Sequence, residues 1–190
     1  MSAPRHHALH AKHRIIKDLT HASLDEVPPA CLAAKRVGLT RVQRAGLTFQ
    51  NKVSTRVRTY CHSPRHRATL YSASWIRFCD ANGGGWAQPD WFFVVEKQTE
   101  ESGSILRLPE GLLVLGECKL TQTPVAWSQM EELYTPLLTH IFEPHRIVQI
   151  QCVKNLSPDD TIAPKNVCWD ISQVVGMINT GHTKILWCVE

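Results

Sequence analysis

Apolar residues at 112, 113, 114 and 115 follow one another without a polar break, the pattern of a strand buried on both faces. The run continues as Gly116-Glu117-Cys118-Lys119. At a period of two, Leu113, Leu115, Glu117 and Lys119 share one face, and Val114, Gly116 and Cys118 share the other. Residues 91–95 (Trp-Phe-Phe-Val-Val), 146–153 and 184–189 read as further strands, as does 69–79 with Tyr71, Trp75, Ile76 and Phe78. Partial alternation predicts another strand over 48–58.

Helical spacing is clearest after residue 123. Thr123 is suited to cap a helix and Pro124 to begin it, and Trp127, Met130, Leu133, Tyr134 and Leu137 then recur at steps that keep one stripe. Pro136 is expected to end or kink that helix. A second helix is expected from Pro28-Pro29 to about Ala45, with Lys35, Arg36, Arg41 and Arg44 on a basic face. A third is expected over 169–178, stopped by Asn179-Thr180-Gly181. Asn82-Gly83-Gly84-Gly85 reads as a tight turn; no Gly-Lys-Ser/Thr follows, so it is not a phosphate loop. The alternation of strands and helices predicts an α/β fold with a mixed central sheet flanked by helices.

Composition adds one asymmetry. The net charge of +4 divides into 14 Lys and Arg against 3 Asp and Glu in residues 1–79 (+11) and 7 against 14 in residues 80–190 (−7). The basic half suits a polyanion, and Arg56, Arg58, Arg65 and Arg67 are its candidate DNA contacts. Residues 1–22, with His6, His7, His10 and His13 among basic side chains, read as a basic arm preceding a domain over 23–190. His6, His10 and His13 share a helical face, and Cys61, His62 and His66 are zinc ligands on paper, but neither group has a finger-like second pair. Seven scattered cysteines, never C-x-x-C, suggest reduced thiols, and no apolar segment is long enough to span a membrane. A cytoplasmic protein is expected.

Charge at the end of a core strand is the chemical signal. Burying an ionised group is costly unless it is paired or bound to a metal, so Glu117 and Lys119 on one face of a buried strand mark a cleft. Pro89-Asp90 opens the preceding strand. Pro89-Asp90, Glu117-x-Lys119 after a hydrophobic strand, and Gln129 on the next helix together resemble the PD-(D/E)xK nuclease superfamily. Gln129 and Tyr134 look like the Gln and Tyr of its RecB-like and lambda-exonuclease-like branch, with four residues between them where that branch has three.

The resemblance implies a restriction-endonuclease-like core and a DNA phosphodiester hydrolase using Mg2+ or Mn2+. Asp90, Glu117 and the backbone carbonyl of Cys118 would be metal ligands, hard oxygens for a hard cation. Lys119 would position or deprotonate the attacking water, and Gln129 would orient the water or a phosphate. Many members add an acid from an upstream helix, and Glu26 is the candidate here. Replication, recombination or mobile-element and phage DNA processing would use such an enzyme, with a second copy or a partner supplying specificity. The other reading the residues leave open is a catalytically decayed nuclease fold that binds DNA or serves assembly.

Overall fold

The computed structural model describes residues 10–24, 26–33, 38–63, 68–96, 108–157 and 167–190 of the 190-residue chain. Short strand β1 (His21–Ser23) and helix α1 (Ala30–Ala33) precede the long helix α2 (Arg41–Cys61). Strands β2 (Ala68–Ser72), β3 (Ile76–Asp80), β4 (Gly83–Ala87), β5 (Trp91–Val95) and β6 (Leu112–Thr121) follow. Helix α3 (Pro124–Gln129) runs through a π-helical turn (Met130–Tyr134) into α4 (Thr135–Phe142). Then come β7 (Arg146–Asn155), β8 (Val167–Cys168), α5 (Ile171–Asn179) and β9 (Lys184–Cys188).

Six strands form the main sheet in the order β2-β5-β6-β7-β9-β8. β2, β5 and β6 pair antiparallel, whereas β6, β7, β9 and β8 run parallel, so the expected mixed sheet is present. β6 lies inside it, and Leu112 to Glu117 are all buried. One face carries Val114 and Val148 against Phe49, Val53 and Val57 of α2 and Val174, Val175 and Ile178 of α5. On the other, Leu113 and Leu115 meet Met130, Leu133, Tyr134, Leu137 and Leu138 of the α3–α4 helix, together with Ile76, Phe78 and Ala87. Those last three belong to β3 and β4 of a separate three-stranded sheet, β1-β3-β4. Full burial of each such large apolar side chain contributes about 1.5–3 kcal/mol.

Four local expectations are corrected. The segment 48–58 is helical, because Phe49, Val53, Val57 and Cys61 recur every four residues and bury one stripe. Its start is set by a reciprocal capping box between Thr40 and Gln43, so α2 begins at Arg41 and the basic run from Pro28 does not extend unbroken to Ala45. The stretch 69–79 is two strands in two sheets, parted where Ala73 takes a left-handed conformation (φ 51). Finally, Gly83–Gly85 are strand residues of β4. Phe78 lies so close over Gly85 that an added Cβ would come within 2.6 Å of its ring.

His10 to Thr20, the second part of the expected arm, lies along the domain. Ala11 N–H donates to the Trp86 carbonyl and Thr20 N–H to the Cys79 carbonyl, and Ala11 is buried. Arg14 pairs with Asp80 and stacks over Phe78. His6 and His7 lie outside the described residues, and His10 packs edge-on against Trp75. All seven cysteines are free thiols; Cys61, Cys152, Cys168 and Cys188 are buried.

Candidate active site

The site grows from a mismatch in strand length. β5 pairs with β6 only from Trp91↔Gly116 to Val94↔Leu113, whereas β7 accompanies β6 on to Thr121. Beyond Gly116 the β5 side of β6 has no strand partner among the described residues. Asp90, the residue before β5, fills that place with its side chain: Cys118 N–H donates to Asp90 Oδ2 at 2.7 Å. In an extended strand the N–H and C=O of one residue address the same neighbour, so the Cys118 carbonyl is directed to that same edge.

Trp91 supports this junction. Its ring occupies the space over Gly116, where an added Cβ would sit 2.0 Å from ring atoms. The Ala73 corner clamps the approach to Asp90 from the other side. Ala73 N–H donates to the Asp90 carbonyl at 3.0 Å, and Gln88 Nε2 donates to the Ala73 carbonyl at 2.7 Å.

Glu117 and Lys119 lie on one face, as the period of two predicts, and Lys119 Nζ donates to Glu117 Oε1 at 2.7 Å. Glu117 is 3% exposed and its Oε2 is buried with no partner among the described residues. Burial, followed by the nearby Asp90 charge, pushes its carboxyl up to about 8 despite the Lys119 contact. Burial draws Lys119 down, but the attraction of Glu117 and Asp90 outweighs it, so the ammonium is held above its ordinary value. With both carboxyls ionised the site would set two negative charges against one ammonium in a largely buried place, and the proton held on Glu117 answers an excess that a cation would relieve.

The helix that follows supplies Gln129 and Tyr134. In an α-helix a five-residue step turns about 500°, which would leave these side chains roughly 140° apart. The π-turn changes that relation: Thr135 N–H bonds to the Met130 carbonyl, five residues back. Gln129 Nε2 donates to Tyr134 Oη at 2.6 Å, and Tyr134 Oη donates to the Gln88 carbonyl at 3.1 Å. This chain of bonds ties the helix to the segment that delivers Asp90. Burial, then the Glu117 charge, raises the Tyr134 hydroxyl well above its ordinary value, so it remains a donor.

Pro136 is the local cause of the adjustment. It cannot donate to the Glu132 carbonyl four residues back, and its ring would crowd that group. The freed carbonyl accepts from Ile16 N–H at 3.1 Å. A groove of about 310 Å³ runs between this segment and the helix, lined by His13, Arg14, Ser128, Gln129 and Glu132 among others.

Other expected residues lie elsewhere. Glu26 pairs with Arg77 and His21 at the small sheet. Among the described residues no group of three or more His, Cys, Asp or Glu side chains is arranged to hold a metal, so no third acid joins Asp90 and Glu117. Helix α2, upstream of the sheet, has no acidic residue. Arg56 and Arg58 are on α2, which covers the sheet face opposite Glu117, and Arg56 donates to the Glu190 carbonyl. Arg65, Arg67 and His66 lie outside the described residues. Gln151, not singled out from the sequence, is fully buried and in register with Glu117 on β7. Its signal was a pair of glutamines, Gln149 and Gln151, breaking an apolar strand.

Asp90, Glu117 and the Cys118 carbonyl offer hard oxygen donors at one strand end, and Glu117 Oε2 is an orphaned buried acceptor. That donor set fits a Mg2+ or Mn2+ ion that keeps several waters. Comparison with protein-family models, curated proteins and solved structures gives no match. Among the described residues, no helix is long and apolar enough to cross a membrane.

Proposed function

We propose that this protein is a metal-dependent deoxyribonuclease with a restriction-endonuclease-like core, the reading implied by the PD-(D/E)xK resemblance. The observation that carries it is the convergence of Asp90 with Glu117-Cys118-Lys119 where β6 outruns β5. Asp90, Glu117 and the Cys118 carbonyl would hold Mg2+ or Mn2+. Such a cation lowers the pKa of a bound water and neutralises charge on a scissile phosphate.

The rest falls to the chain itself. The Lys119 ammonium, fixed by Glu117, stands ready to pair with a phosphate oxygen and orient the attacking water. Its raised pKa in the metal-free protein favours this electrostatic role over that of a base. Gln129 donates its amide to Tyr134 Oη, and that hydroxyl lies within electrostatic reach of Glu117 and Asp90. DNA is the proposed partner, with the basic residues of the first half contributing phosphate contacts that weaken with salt. We place its use in replication, recombination or mobile-element DNA processing inside the cell.

The test incubates the full chain with plasmid, linear and single-stranded DNA in Mg2+ or Mn2+. Cleavage to 5′-phosphate and 3′-hydroxyl ends is expected, falling by about 100-fold or more in Asp90→Ala and Lys119→Ala. Cleavage that survives in either variant rejects the assignment. The lack of an acid in α2 and the engagement of Glu26 by Arg77 favour one cation over two. They also motivate a second reading, a decayed nuclease fold that binds DNA without turnover. That reading predicts salt-sensitive binding and no cleavage with any divalent metal.

A further inference from the structure

Glu117 and Gln151 occupy paired positions on the adjacent parallel strands β6 and β7. Strand spacing puts their backbones about 4.8 Å apart with both side chains on the same face, beneath the α3–α4 helix. Gln151 is fully buried. Its Nε2 donates to the Thr123 carbonyl at 2.9 Å, which anchors the amide at the start of α3. Its Oε1 is buried and has no partner among the described residues, as is true of Glu117 Oε2. Two buried acceptors at paired positions both require a donor, and once Glu117 is ionised, as a cation beside it demands, neither the amide oxygen nor the carboxylate oxygen can serve the other.

Water meets that requirement, because it has two hydrogens and the site is polar. We propose that Gln151 is a positioning residue of this site: its Oε1 and Glu117 Oε2 together hold a water, one hydrogen to each, and so fix the carboxylate that faces the cation. This inference rests on the nuclease reading of Asp90 and Glu117, and it assigns to β7 a part in a site otherwise built from β5, β6 and α3. Gln149 provides an internal control. It too is buried with an unpartnered Oε1, and its Nε2 donates to Thr135 Oγ1, but it is in register with Leu115.

The experiment measures Mn2+ binding by calorimetry, the Mg2+ dependence of DNA cleavage and thermal stability in four proteins: wild type, Gln151→Met, Gln151→Asn and Gln149→Met. Outer partners of metal ligands change affinity or activity by about 10- to 100-fold. The expected result is a loss of that size in Mn2+ affinity and in the Mg2+ needed for half-maximal cleavage for both Gln151 variants, with wild-type values for Gln149→Met. Gln151→Met with wild-type metal binding and cleavage overturns the proposal, as does an equal loss in Gln149→Met. Unfolding of both Gln151 variants while Gln149→Met folds makes the residue structural and overturns it as well. A wild-type protein that binds no Mn2+ and cleaves no DNA instead rejects the underlying site, and this inference falls with it.

Discussion

Glu117 gives the most direct test of the buried charge at the strand end. Its folded pKa of about 8 lies above the ordinary carboxyl value of 4.5, chiefly through burial. The folded state therefore binds the proton more tightly than the unfolded state. Stability from this group is fully present below about pH 4.5 and is lost as pH rises towards 8. At 1.36 kcal/mol per pKa unit, the loss between pH 5 and 8.5 amounts to up to about 4 kcal/mol. For a chain of this size that is a fall in Tm of roughly 10 °C.

Glu117→Gln removes the titration and keeps the volume. Urea denaturation of wild type and Glu117→Gln at pH 5, 7 and 8.5, with chelator, isolates the effect, because titrating groups remote from Glu117 cancel in the difference. Wild type should weaken relative to the variant as pH rises, and Mg2+ at pH 8.5 should restore stability to wild type alone. Parallel pH profiles would refute the reasoning, since they would mean that Glu117 ionises in the fold as freely as in water.

Two further outcomes follow from the surroundings of the site. Tyr134→Phe removes the hydroxyl that accepts from Gln129 and donates to the Gln88 carbonyl. It should lower stability by about 1–3 kcal/mol in denaturant titration and reduce cleavage through looser Gln129 placement, without altering Mn2+ affinity. Gly116→Ala drives a methyl into the Trp91 ring, an overpacking worth about 1–3 kcal/mol, and should weaken Mn2+ binding because Trp91 adjoins Asp90.

How much of this was legible before folding differs from element to element. The strand 112–119, the shared face of Glu117 and Lys119 and the Thr123-Pro124 helix start were all readable, since each rests on side-chain alternation or a cap within a few residues. The 48–58 segment misled because its Thr and Arg residues alternate with apolar ones, while the deciding signal was a four-residue stripe continuing to Cys61. The break at Ala73 has no glycine, proline or asparagine to announce it, only the weaker signal of Ser72 and Ser74; the bonds to Gln88 and Asp90 that hold it come from later in the chain.

A mixed α/β sheet, a buried strand ending in charge and a helix beginning at Pro124 could all be read from the residues alone, because periodicity and capping express themselves over short stretches. What meets at that strand end is set by packing between distant segments. The offset of β5 against β6 brings Asp90 to Cys118, parallel pairing brings Gln151 beside Glu117, and the π-turn ahead of Pro136 brings Tyr134 to Gln129. The first two depend on strand register, which no single window of residues carries; the third begins locally at Pro136 but leaves a Glu132 carbonyl that the distant Ile16 N–H satisfies.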